Sequence, residues 1–407
     1  MTEPGRGAPA SSPHRSVPPD PPFAPGIAAL LHRHLDWVDG ARVGLVSHNA
    51  AVDRQGVPTW RLLHAAAGVR LCALFGPEHG FAGTALAGAA VGDAVHAETG
   101  VPLYSLYGRT RVPTPEMLAV VDVLVVDLQD LGARPYTYCA TLRGLLEQAA
   151  ASRKRVVVCD RPIPLAHTPD GPPVEPGHDS FVAAIPAPML YAMTPGETAL
   201  WLQQRLGLEL DLRVARMQGY RRGQRPQPDW PPWCPPSPRI GTWASACCYA
   251  ATVACEALPA LDYGSGGPDA FQVCASPLFA AAAALRLLDE IPLPGVFFEL
   301  CSYRAASGLL HGTQLAGLRL TVTDTALFRP VLTSLALLST AQRLCGILPL
   351  WQAPEARPGF FDQLFGGPAT RRALLEEVPV ARIAASWEPG LAEFRRARAP
   401  CLLYPAP

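Results

Sequence analysis

The feature that most constrains this chain is a phrase repeated four times in its first 162 residues: a short apolar, β-branched run that ends in polar residues. Arg42–Val46 leads into Ser47-His48-Asn49, and Val69–Phe75 into Gly76-Pro77-Glu78-His79-Gly80. Val121–Val126 leads into Asp127-Leu128-Gln129-Asp130, and Arg155–Cys159 into Asp160-Arg161-Pro162. Short runs with little polar alternation are what strands covered on both faces look like. A segment of helical character precedes them at Ile27–Val38, and others separate them at Pro58–Ala67, Pro115–Val121 and Tyr138–Ser152. Strands alternating with helices predict right-handed crossovers and an α/β fold built on a doubly wound, mainly parallel sheet. In such a sheet the polar ends of all four strands emerge at one carboxyl edge, where ligands bind near the topological switch point.

Further along, Thr194-Pro195-Gly196-Glu197 has capping-box spacing with proline at the first helical position, which predicts a helix to about Leu206. Arg225–Pro238 holds seven prolines with Trp230 and Trp233, and reads as an extended strap. The two tryptophans either roof a cleft or pin the strap to the sheet. A boundary just after the strap divides the chain into a disordered proline-rich tail (1–25), a first domain (26–239) and a smaller α/β domain (240–407). In the latter, Leu278–Asp289 and Phe328–Leu344 are expected helices, and Leu318–Thr323 and Cys401–Tyr404 expected strands.

Composition narrows the function. Of 407 residues, 49% are hydrophobic and 17% charged, enough for sizeable cores. Lys+Arg and Asp+Glu both total 34, so there is no net charge to serve a nucleic acid or an anionic membrane. Eleven cysteines form no C-x-x-C pattern and lie mostly in apolar runs, as buried free thiols do in a reducing compartment. The amino terminus lacks the apolar core of a secretory signal, and no apolar run approaches the roughly 18 residues of a membrane span. A soluble, cytoplasmic protein is expected. His32 and His34 are two apart on a helix and face different ways, and neither H-E-x-x-H nor G-x-S-x-G occurs. No metal and no organic cofactor are expected.

The chemistry should lie at the strand ends. Glu78 sits in a turn whose glycines present a carboxylate rather than pack it, and a carboxyl beside a low-dielectric wall suits a general acid. Asp127, Gln129, Asp130, Arg134, Tyr136 and Tyr138 crowd twelve residues with acids, a guanidinium and phenols. A pyranose, with polar edges and apolar C–H faces, needs such a platform. Glu147 lies on the next helix, and Asp160-Arg161 adds a guanidinium able to grip a carboxylate in two places. Gly264-Ser-Gly-Gly267 lacks the lysine of a phosphate loop and reads as a turn.

Together, Gly76-Pro-Glu-His-Gly-Phe81, Tyr104-Ser-Leu-Tyr-Gly108, Pro113-Thr-Pro-Glu116, Asp127-x-Gln-Asp-x-Gly-x-Arg134, Tyr136-Thr-Tyr138, Asp160-Arg-Pro162, Met193-Thr194-x-Gly-Glu197, Pro235-Pro-Ser-Pro238, His311-Gly-x-Gln314 and Val322-Thr-Asp324 make a pattern. It resembles the NamZ-type exo-β-N-acetylmuramidases, a glycoside hydrolase family, over roughly residues 42 to 404. The resemblance implies a Rossmann-like catalytic domain, a smaller auxiliary domain, and release of terminal N-acetylmuramic acid from peptidoglycan fragments, with a small saccharide or muropeptide as substrate. It makes Glu78 the candidate general acid, with Glu147, Asp130 and Asp127 competing for the second carboxylate role. Arg134 or Arg161 would hold the lactyl carboxylate. His48, His79, Tyr107, Gln129, Tyr136, Tyr138, Asp160 and Asp170 complete the expected sugar site. The chain departs from the family pattern at Ala82, Ile163, Asp170, Tyr191, Tyr263 and Ser265. Those departures leave a second expectation open, a sugar-binding relative with weakened or lost catalysis.

Overall fold

A computed structural model describes residues 22–406. Its main sheet has seven strands: β1 (Arg42–Ser47), β2 (Arg70–Gly76), β3 (Ala94–Val95), β4 (Pro102–Ser105), β5 (Val123–Asp127), β6 (Arg155–Cys159) and β7 (Leu212–Ala215), in the order β3-β4-β2-β1-β5-β6-β7. All neighbours pair in parallel except β3 with β4. The four runs singled out in the sequence are β1, β2, β5 and β6, the centre of the sheet, and their apolar residues are almost all buried from both sides. The short strands β4 and β7 carry no such run. Each is only four residues long and half-buried, so pairing with a neighbour, not burial, makes it a strand.

The chain steps from β1 outward to β2 and then crosses back to β5, so the topological switch point lies between the carboxyl ends of β1 and β5. The helix Tyr138–Ala151 covers the sheet between β5 and β6. The helix Pro195–Leu206 opens with the anticipated capping box: Thr194 Oγ1 accepts from Glu197 N, and Glu197 Oε2 accepts from Thr194 N.

The second half builds a three-stranded antiparallel sheet from β8 (Val273–Ala275), β9 (Val296–Arg304) and β10 (Gln314–Val322), in the order β8-β10-β9. Around it pack the helices Trp243–Thr252, Ala281–Asp289 and Pro330–Cys345, with a further run of short helices to Arg398. The strand expected at Cys401–Tyr404 does not form. A 3-10 turn at Ala399–Cys401 leads instead into a clasp on the first half: Leu403 N donates to Glu197 Oε1 at 2.8 Å, and the Tyr404 hydroxyl donates to Asp160 Oδ2 at 2.6 Å. Pro400 and Pro405 deny this segment the donors a ladder needs.

Residues 1–21 of the expected tail lie outside the described residues. Its last residues belong to the fold, for Phe23 is buried and stacks on Trp230 with ring centroids 4.3 Å apart. Trp230 also meets Tyr220 and Trp243, and Trp233 donates to Ile240 O at 3.2 Å. Neither tryptophan reaches the large cavity described below, so both pin the strap.

Candidate active site

A cavity of about 820 Å3 opens between the two halves, within the size range of small-ligand sites. The first half contributes Glu78, His79, Gly88, Tyr107, Pro135, Tyr136 and Thr137, and the end of the strap contributes Ser237, Pro238, Arg239 and Ile240. The second half closes it with Tyr249, Glu256, Tyr263, Ser265, Phe271 and Arg357, among others.

Glu78 follows β2 in a turn of unusual backbone. His79 and Gly80 both take left-handed φ values, 69° and 72°. A left-handed histidine is strained by about 1–3 kcal/mol, the kind of cost that functional sites carry. It is held by Nδ1 against Ala85 O at 2.8 Å. Gly76 is required for closeness: a Cβ there would stand 2.7 Å from Phe81 N. The turn leaves the Glu78 carboxylate buried at the cavity wall with both oxygens engaged. Oε2 accepts from the Thr137 hydroxyl at 2.6 Å, and Oε1 accepts from Gly88 N at 2.8 Å. Tyr107 stands beside it, and burial together with the Glu78 charge pushes that phenol up. Arg111 lies over the Tyr107 ring, 3.7 Å from its centroid.

Of the remaining residues expected from the sequence, His79, Tyr107 and Tyr136 line this cavity and the others do not. The switch point is packed solid. Asp127 forms a fully buried ion pair with Arg161, accepts from Thr59 Oγ1 at 2.5 Å, and is sealed from solvent. Arg161 is spent there and on Val52 O, which leaves no free face for a lactyl carboxylate. His48 Nε2 accepts from Gln129 N at 3.0 Å, and burial, helped by Arg161 and His79, pushes the imidazole down to about 3. Gln129 donates to Pro162 O and Asp130 O.

Asp130 turns inward, accepting from Leu131 N and from the Tyr191 hydroxyl at 2.7 Å, and burial pushes it up to about 6. Arg134 is fully buried and clamps Ala187 O and Phe365 O, 2.8 and 3.0 Å away, so it ties the β5 loop to the second half. Tyr138 donates to Pro236 O at 2.7 Å and fixes the strap. Asp160 accepts from Thr194, Gly196 N and Tyr404. Asp170 caps the helix Pro330–Cys345 through Val331 N and Leu332 N while pairing with Arg329. Glu147 pairs with Arg143 at 2.9 Å on its own helix, two-fifths exposed and away from the cavity. These buried polar groups brace the wall that carries Glu78, Tyr136 and Thr137.

Sequence reasoning missed a second glutamate that lines the cavity. Glu256, on the 3-10 helix Val253–Ala257, lines it with a side chain one-fifth exposed. Its Oε1 accepts from the Tyr263 hydroxyl at 3.1 Å and lies 3.4 Å from Arg239 Nη1, which also donates to Tyr263 Oη at 2.7 Å. A signal was present: Glu256 is the only charged residue between Ala246 and Leu261. Two of the departures from the family pattern therefore fall in the cavity. Tyr263 bridges the Arg239–Glu256 pair, and Ser265 exchanges a hydrogen bond with Ser307 at 2.9 Å. The segment Gly264–Gly267 is the turn expected, with Gly267 N donating to Gly264 O. Among the described residues no group of three His, Cys, Asp or Glu side chains is placed to hold a metal ion, and no helix is long and apolar enough to cross a membrane.

Comparison with known proteins gives a consistent picture. Residues 43–244 match the family model for the N-terminal part of exo-beta-N-acetylmuramidase NamZ, and residues 247–404 the model for its C-terminal part. A curated relative from Bacillus subtilis, the peptidoglycan beta-N-acetylmuramidase NamZ, is 34% identical over 94% of this chain and 92% of its own. A solved DUF1343 family protein of Bacteroides fragilis superposes with a TM-score of 0.86 at 31% identity, covering 94% of this chain and 99% of that one. A second from the same organism superposes with a TM-score of 0.75 at 22% identity, covering 95% and 99%, and speaks to the fold alone.

Proposed function

Because the chain belongs to the exo-β-N-acetylmuramidase NamZ family, we propose that its cavity hydrolyses the glycosidic bond of a terminal N-acetylmuramic acid, or a closely related amino sugar, in peptidoglycan fragments. The observation that carries this reading is Glu78: a buried carboxylate held by Thr137 and Gly88 at the wall of the 820 Å3 cavity, with the cavity's tyrosines around it. Cleavage needs a group that moves protons and a floor that holds a sugar. Glu78 supplies the first, and the faces of Tyr107, Tyr136, Tyr249 and Phe271 supply apolar surfaces for pyranose C–H groups.

Muramic acid differs from glucosamine by a lactyl carboxylate. The cavity's own guanidiniums, Arg239 and Arg357, take the role first expected of Arg134 and Arg161. Arg357 is the more available. It is exposed, it lies over Phe360 at 4.6 Å, and its guanidinium donates to Glu256 O. The substrate is a small saccharide or muropeptide. We place the enzyme in the cytoplasm, where its buried thiols, among them Cys139, Cys159 and Cys274, stay reduced.

Release of chromophore from an aryl N-acetylmuramide tests the reading. The wild-type chain should turn it over, and Glu78→Gln should lose activity by at least about the 100-fold that a single acid–base group contributes. Release by wild type no faster than by the variant rejects it.

A further inference from the structure

We propose that Glu256, not a carboxylate at the switch point, is the second catalytic acid of this site, and that it protonates the leaving oxygen while Glu78 serves as the acceptor opposite it. This rests on the glycosidase reading above.

Asp127, Asp130 and Glu147 are each committed elsewhere and off the cavity. Besides Glu78 the cavity offers Glu256, Asp262 and, at its margin, the exposed Glu355. Asp262 is consumed by Gly264 N and the Tyr303 hydroxyl, both 2.7 Å from its Oδ1. Glu78 and Glu256 therefore face one space from opposite halves of the molecule, one after β2 and the other on a 3-10 turn of the second half.

Their surroundings differ in the way a division of labour needs. Both Glu78 oxygens accept, and the backbone N–H of Gly88 can only donate, so that carboxylate is built to be an acceptor. At Glu256 the polar contacts converge on Oε1. The groups around it are Arg239 from the strap, Tyr263, Tyr249, Cys255, Arg357 and Glu78. Burial pushes its carboxyl up, Arg239, Tyr263 and Arg357 pull it back, and the charge of Glu78 pushes it up again. Two carboxyls in one site whose surroundings differ in this way divide into donor and acceptor.

The step balances. The C1–O bond breaks with its electron pair on the leaving oxygen, which bonds the Glu256 proton, so a neutral alcohol departs and Glu256 becomes a carboxylate. Water supplies the oxygen that completes C1, and the proton it gives up ends on one of the two carboxylates.

The test compares two leaving groups. An activated dinitrophenyl N-acetylmuramide needs little protonation to depart, whereas a muramyl disaccharide needs it fully. Glu256→Gln should lose about 100-fold or more in kcat on the disaccharide, the scale of a general acid, and less than about tenfold on the dinitrophenyl substrate. Glu78→Gln should lose both. Tyr263→Phe removes a donor to ionised Glu256, so the alkaline limb of kcat/KM should move to higher pH. This variant carries the test even if Glu256→Gln folds poorly. Equal losses of Glu256→Gln on both substrates, or disaccharide turnover near wild type, overturn the assignment while leaving the glycosidase reading intact. A Tyr263→Phe limb that stays in place also overturns it. A wild-type chain inert on both substrates removes the glycosidase reading and this inference with it.

Discussion

Glu78 follows one buried parallel strand and Asp127 ends another, yet one lines an 820 Å3 cavity and the other is sealed against Arg161 and Thr59. Sequence spacing places both at the carboxyl edge. It does not show that Arg161, one strand away, turns back to neutralise Asp127, because only the sheet order β1-β5-β6 brings them together. A buried pair of this kind is costly to break, since the survivor is left as an uncompensated charge. Asp160 shows a related economy: burial, with Glu197 nearby, pushes its carboxyl up to about 7. An unfolded aspartate ionises near pH 4. Between those values the folded chain holds a proton that the unfolded chain has released, so this group's contribution to stability falls as pH rises from about 4 to about 7. Thermal unfolding across that range should show the decline in wild type and a flatter curve in Asp160→Asn. An unchanged slope would assign the effect to another group.

At the scale of elements, the central strands and the long helices were legible because burial from both sides leaves unbroken apolar runs and because caps mark helix starts. Arg155–Cys159 and Pro195–Leu206 fall where their residues place them. The outlying strands β4 and β7 were not legible, since both are half-buried and short. Nor was the C-terminal clasp, whose partners lie more than 200 residues away. The strap allowed two readings of its tryptophans, and packing decides between them. Trp230 sits in an aromatic cluster with Phe23, Tyr220 and Trp243. Trp230→Ala should cost about 3–5 kcal/mol in a denaturant titration and leave the affinity for muramic acid unchanged by calorimetry. Weakened binding in a variant of normal stability would return the residue to the sugar site.

For the whole molecule, the site belongs to neither half alone. The first half presents Glu78 on a strained turn, the strap delivers Arg239, and the second half brings Glu256, Tyr263 and Arg357. Arg134 and the Tyr404 clasp lock these parts together through buried polar contacts. That explains why a reading of the strand ends found one wall of the cavity and not the other. Glu256 comes from an alanine- and cysteine-rich run where packing accounts for every neighbour except the acid itself. A crystal structure soaked with N-acetylmuramic acid would test this arrangement most directly. The sugar should lie between Glu78 and Glu256, with its anomeric oxygen within hydrogen-bond reach of a carboxylate, about 2.6–3.2 Å, and its lactyl group toward Arg357 or Arg239. Ordered sugar lodged away from both glutamates would contradict the account.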